Sequence, residues 1–162
     1  MHPQIDEIDI KLIDSLGRDS STTFVELARQ IGISDATVHI RVRRLMSEGV
    51  IKKFTISLDY DLLGYDHLAF VGVNFKPSVN VDATIDKLVN LEEVLELYEM
   101  HNSYDLFLKI RAKDFNRLRD IVENKIRALP NILNTELIIA LKSRKEKQIV
   151  RFNSDYNIQN EK

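Results

Sequence analysis

The chain contains no cysteine and no tryptophan. Disulfides, thiolate nucleophiles and thiolate metal ligands are therefore excluded. Glycine is scarce, with five in 162 residues, at positions 17, 32, 49, 64 and 72. No two of them are close enough for a phosphate-cradling loop or a dinucleotide fingerprint. No serine sits in a nucleophile-elbow context. The four histidines, His2, His39, His67 and His101, lack metal-ligand spacing. No apolar run approaches the roughly 18 residues of a membrane span, and the opening MHPQIDEID has no signal-peptide character. These absences predict a cytoplasmic protein that is not an enzyme, holds no metal or cofactor and has no membrane partner. The net charge of −2 means that any polyanion must be met by a local patch.

One stretch is rich in signal: FVELARQIGISDATVHIRVRRL, Phe24 to Leu45. Thr23 can cap a helix, with Glu26 three residues on as capping-box partner. Leu27 and Ile31 give that helix an apolar face, and Ala28 is small where a second helix must approach. Gly32 permits a left-handed turn, and Ser34 is a good N-cap for the next helix. Val38, Val42 and Leu45 recur at helical spacing and point inward. Asp35, Ala36, Thr37, His39, Ile40 and Arg43 are left on the other side. Upstream, Ile5, Ile8, Leu12 and Leu16 supply a further apolar stripe. This is the layout of a helix-turn-helix whose second helix enters the DNA major groove.

Charge segregates over the same region. Residues 1–28 hold two basic side chains against six acidic ones, and residues 29–53 hold six basic against two acidic. A positive patch confined to the reading helix and its exit is the footprint expected for phosphate. Arg43 and His39 are the first candidates for base edges, with Ala36, Thr37 and Ile40 beside them and Ser34 at the helix start. Arg41, Arg44, Lys52 and Lys53 are placed for phosphates. The bland alternative is a three-helix core without a ligand.

After Ile51 the period changes. Phe54, Ile56 and Leu58 alternate with polar residues, as in a strand, and DYDLLGYD at 59–66 reads as a connector turning at Gly64. Strands are then expected over 67–76, 93–101, 105–112 and 134–142, with helices over 81–91 and 114–129. Asn102 and Ser103 form a hairpin turn between the middle strands. The order is that of the split βαβ, ferredoxin-like motif. The runs LAFVGVNF and LIIAL are apolar on both faces, yet two helices cover only one face of a sheet. The other face predicts a homodimer. In the polar tail, QIVRF at 148–152 has the composition of an edge strand.

Over roughly residues 4–142 the chain resembles the Lrp/AsnC, or feast/famine, family of transcription regulators. The resemblance rests on IDEIDIKLIDSL, ELARQIGIS, VRRLMSEGVIKKF, LLGY and YDLFLKI. It implies an α+β chain. A helix-turn-helix (winged-helix-like) domain at 1–52 is joined by a hinge strand and linker at 53–66 to a ferredoxin-like βαββαβ domain at 67–145, followed by a polar tail at 146–162. It also implies double-stranded DNA as partner, an amino acid as small-molecule effector, and homodimers that assemble into octamers. The family's Gly-x-Tyr-Asp is Asn102-Ser103-Tyr104-Asp105 here, its Pro-Gly-Val is Pro130-Asn131-Ile132, and its Thr-x-Thr keeps only Thr135 before Glu136 and Leu137. The effector is expected near His101, Asn102, Ser103, Tyr104 and Asp105, with Thr135 and Glu136 close by. A zwitterion needs a negative group and amide donors, and a strand–turn–strand offers both. Two other readings share the fold: an architectural protein that wraps DNA with little sequence preference, and an enzyme resembling the sirohaem decarboxylases.

Overall fold

The computed structural model of the chain describes residues 3–146. These form two compact units, one running up to Ser57 and the other spanning Leu58–Lys145. The expected edge strand at 148–152 lies outside the described residues.

The first unit holds α1 (Glu7–Arg18), α2 (Phe24–Ile31) and α3 (Asp35–Ser47). A reciprocal cap that the sequence reading did not assign starts α1. Asp6 accepts from the Asp9 N–H at 2.9 Å, and Asp9 Oδ2 accepts from the Asp6 N–H at 3.0 Å. At α2, Thr23 Oγ1 accepts from the Glu26 N–H at 3.2 Å, so the expected cap forms. The expected return bond from Glu26 does not. Its carboxylate takes Arg29 Nε at 3.0 Å, Arg29 Nη2 at 2.8 Å and Gln30 Nε2 at 2.9 Å, because a guanidinium fork outcompetes one backbone N–H. Gly32, at φ 81°, ends α2, and the Gly32 and Ile33 N–H groups both reach the Ala28 carbonyl. Ser34 Oγ then caps α3 through the Thr37 N–H at 3.1 Å. Leu12, Leu16, Leu27, Ala28, Val38 and Val42 close the small core, as their spacing predicts.

The expected strand over Phe54, Ile56 and Leu58 is not formed among the described residues. Residues 52–59 are neither helix, strand nor turn, and Ile56 is 76% exposed. A ladder needs a second strand, and the described residues pair none with this segment.

The second unit runs β1 (His67–Phe75), α4 (Asp82–Val89), β2 (Val94–Glu99), β3 (Leu106–Ala112), α5 (Phe115–Asp120), a π-helix (Ile121–Ile126) and β4 (Ile132–Ile139). The sheet order is β2-β3-β1-β4, with every neighbouring pair antiparallel. Its element order is the ferredoxin-like one expected. Two details differ. The last strand lies upstream of the expected 134–142, and the single helix expected over 114–129 changes pitch after Asp120. The wider turn, seen in the bond from the Arg127 N–H to the Val122 carbonyl at 2.8 Å, sets Ile121 and Ile126 one above the other. Both are fully buried.

Strand alternation divides the sheet. Ala69, Val71 and Val73 of β1 and Leu106, Leu108 and Ile110 of β3 meet Leu88, Leu118, Ile121, Val122 and Ile126 from the helices. Among the described residues, no helix covers the opposite face. There Phe70 and Phe107 stack at 5.5 Å, and Tyr98 and Ile138 are 52% and 37% exposed. The segment 58–66 belongs with this unit because Arg111 holds it. The Arg111 guanidinium lies 4.7 Å from the Tyr60 ring centroid and donates to the Tyr65 carbonyl at 3.1 Å.

Candidate DNA-reading helix and effector cleft

Helix α3 is sorted by its own periodicity. Val38, Val42 and Leu45 are buried, while Ala36, His39, Ile40 and Arg43 are exposed and Thr37 is half-buried. Ile40 is 69% exposed on this side of the helix. The His39 ring sits edge-on to Phe24 at 4.6 Å, which fixes its position without burying it. Lys52 and Lys53 are exposed beyond the helix. Ser34 and Thr37 join their hydroxyls at 2.8 Å around the first turn.

Arg41 and Arg44, expected at phosphates, are engaged elsewhere. Arg41 Nη1 donates to Asp6 Oδ2 at 2.6 Å and to Asp9 Oδ1 at 2.9 Å, and Arg44 Nη2 pairs with Asp9 Oδ2. Asp9 is fully buried. A carboxylate there is tolerable only because two guanidinium groups meet it. Burial pushes the Asp6 carboxyl up. The bonds from the Asp9 backbone and Arg41 outweigh that and hold it below its usual range. The two arginines thus fasten the reading helix to the start of α1. Asp6 at the N-cap and Asp9 in the first turn lie three residues apart, as do Arg41 and Arg44 on one face of α3, but their meeting depends on the packing of α1 against α3.

In the second unit, Asn74, Ser103, Tyr104, Asn134, Thr135 and Glu136 line a cleft of about 590 Å³. Four of these are expected effector residues: Ser103, Tyr104, Thr135 and Glu136. Asn74 and Asn134 are additions, brought to the cleft by the β1–β4 pairing, in which they face each other. His101, Asn102 and Asp105 do not line it. Asp105, expected to hold a ligand's polar end, is built into the sheet instead. Its Oδ2 accepts from the Phe75 N–H at 2.7 Å, and its own N–H reaches the Val73 carbonyl at 2.9 Å.

Tyr104 shapes the cleft floor. Its ring lies directly over Gly72, where an added Cβ would stand 2.4 Å from Cε1, and it stacks on Phe107 at 5.8 Å. Its hydroxyl donates to Glu136 Oε2 at 2.7 Å. That bond raises the tyrosine pKa above its ordinary value. Arg127 backs Thr135, with Nε on Oγ1 at 2.9 Å.

The hairpin that carries Ser103 and Tyr104 turns at Asn102, which has φ 95°. Asparagine tolerates this region better than most residues. Asn102→Gly is expected to fold with unchanged stability, whereas Asn102→Val is expected to lose about 1–2 kcal/mol. Urea unfolding of the two variants checks this, and equal midpoints would show that the turn bears no strain.

Among the described residues, no group of three or more histidines and acids could hold a metal ion, and no helix is long and apolar enough to cross a membrane. Two family profiles match the chain: a winged helix-turn-helix DNA-binding domain over residues 5–52 and an Lrp/AsnC ligand-binding domain over residues 68–150. The HTH-type transcriptional regulator FL11 of Pyrococcus horikoshii is 36% identical over 146 residues, covering 90% of this chain and 95% of that protein. The solved structure of E. coli AsnC superposes with a TM-score of 0.83 at 31% identity, covering 91% of this chain and 99% of that one. The Neisseria meningitidis regulator NMB0573, solved in complex with L-Met, shares the fold at a TM-score of 0.83 and 19% identity, over 90% of this chain and 95% of its own. The order of elements, the capped second helix and these matches agree: the chain belongs to the Lrp/AsnC family of transcription regulators.

Proposed function

We propose that this chain binds double-stranded DNA sequence-specifically as a homodimer, and that an amino acid seated in the β1–β4 cleft modulates that binding or the assembly of dimers into octamers. The reading places it in the cytoplasm as a regulator and not an enzyme. One observation carries it. The Ser34-capped helix turns Ala36, Thr37, His39, Ile40 and Arg43 to one side, and Arg43 makes no ion pair among the described residues. Arginine reads guanine through a bidentate bond, and Ala36 and Ile40 suit thymine methyl groups. Lys52 and Lys53 supply phosphate contacts. Arg41 and Arg44 act through Asp6 and Asp9, fixing the angle of α3 and not touching DNA first. The uncovered face of Phe70, Phe107 and Ile138 supports the dimer, which sets two reading helices on one particle. The L-Met complex of NMB0573 supports an amino acid as effector class.

Selection from random duplexes supplies the specific site for the test. Arg43→Ala is expected to lose about 1–3 kcal/mol at particular base pairs. Lys53→Ala is expected to weaken all sequences alike and to lower the salt slope by roughly one unit. Equal losses on selected and random DNA in both variants would remove Arg43 from base reading and favour the architectural role.

A further inference from the structure

The effector cleft has a lopsided wall. Of its six lining residues, Asn74, Ser103, Tyr104, Asn134 and Thr135 carry hydroxyl or amide groups, and Glu136 is the one carboxylic acid. Among the described residues, no lysine, arginine or histidine lines it. Arg127 is close in sequence but spent behind the wall. Its Nε and Nη2 bond Thr135 Oγ1 and the Thr135 carbonyl, and its Nη1 bonds both oxygens of Glu123.

Two of the neutral donors are already engaged. Asn74 Nδ2 donates to the Ser103 carbonyl at 3.1 Å, which leaves its Oδ1 as an acceptor. The Tyr104 hydroxyl donates to Glu136 Oε2 at 2.7 Å. That bond fixes the carboxylate and leaves Oε1 without a donor among the described residues. The cleft therefore holds one carboxylate beside hydroxyl and amide groups, and among the described residues it lacks a cation for a ligand carboxylate.

We infer that Glu136 sets the specificity of this cleft for a ligand with a cationic side chain, such as a basic amino acid. An acidic side chain meets a like charge at Glu136. A ligand with a neutral side chain can bring only its α-ammonium to Oε1, which draws the ligand's own carboxylate toward the like charge of Glu136. A side-chain ammonium or guanidinium supplies the missing donor and the opposite charge together. The ligand's α-carboxylate then points away from this wall. The inference rests on reading the cleft as the effector site.

The test is calorimetric titration of the full chain, at fixed ionic strength, with L-lysine, L-arginine, L-methionine and L-glutamate. The two cationic ligands are expected to bind at least tenfold more tightly than methionine, and glutamate more weakly still. Glu136→Gln is expected to remove that preference while methionine affinity changes less than twofold. Tyr104→Phe keeps the ring over Gly72 but frees Oε2, so cation affinity is expected to rise two- to fivefold. Opposite responses of the two variants would not arise from a merely structural role. Methionine or glutamate binding as tightly as lysine, a preference that survives Glu136→Gln, or a loss of cation affinity in Tyr104→Phe would each overturn the inference and leave the effector reading standing. No binding by any of the four ligands would overturn both.

Discussion

Asp9→Ala is expected to cost the N-terminal unit about 3–5 kcal/mol, the penalty for removing one partner of a buried ion pair. That is a large share of the roughly 5–15 kcal/mol that holds a typical domain folded. The carboxylate is fully buried and receives both Arg41 and Arg44. Its loss strands the partly buried Arg44 guanidinium, leaves Arg41 with Asp6 alone, and undoes the reciprocal cap at α1. Urea unfolding followed by circular dichroism is the measurement. The wild type and the variant should differ in the transition of the N-terminal unit and agree in that of the sheet unit. A loss below about 1 kcal/mol would mean that apolar packing alone holds α1 on α3. Acid should act on the same cluster. The Asp6 carboxyl is held below its ordinary value in the folded chain. Its contribution is therefore complete above the unfolded pKa of about 3.9 and fades as pH falls through the lower folded value.

Gly72→Val is the second large effect. The Tyr104 ring occupies the space a side chain would need, with Cε1, Cδ1 and Cζ at 2.4, 2.5 and 2.7 Å from an added Cβ. The whole ring must move, and with it the Phe107 stacking and the bond to Glu136. Overpacking of this kind costs about 1–3 kcal/mol, and valine belongs at the upper end. The double variant Gly72→Val, Tyr104→Ala should recover part of the loss, because the second change empties the space. The coupling between the two sites is then well above the few tenths of a kcal/mol expected of independent positions. Strictly additive losses would show that the ring and Gly72 do not compete for one volume.

The helix-turn-helix was legible because its determinants are local. Thr23, Gly32 and Ser34 each act on backbone within three residues, and Val38, Val42 and Leu45 declare one helix face by spacing alone. The order of the sheet unit was legible for the same reason. What escaped the sequence is long-range. Asp6 and Asp9 read as part of an acidic segment, and only the packing of α1 against α3 turns them toward Arg41 and Arg44. Asp105 has the chemistry of a ligand group, and the sequence does not show that one of its carboxylate oxygens also accepts from the Phe75 N–H across the sheet. Asn74 and Asn134 carry no local signal, and strand register alone sets them opposite one another. The pitch change after Asp120 is equally silent, since Ile121, Val122 and Ile126 suit an ordinary helix. The alternation of Phe54, Ile56 and Leu58 is a strand pattern, but none of the described strands pairs with it.

Asn102 and Asn131, at φ 95° and 70°, stand where the family resemblance places glycines. What descends at such sites is an angle, and the letter that encodes it is free to change among the few side chains that accept it. A pattern that demands glycine before Tyr-Asp would discard this chain. One written for any residue at ease in left-handed backbone would keep it, and would weigh a β-branched residue there as evidence against membership.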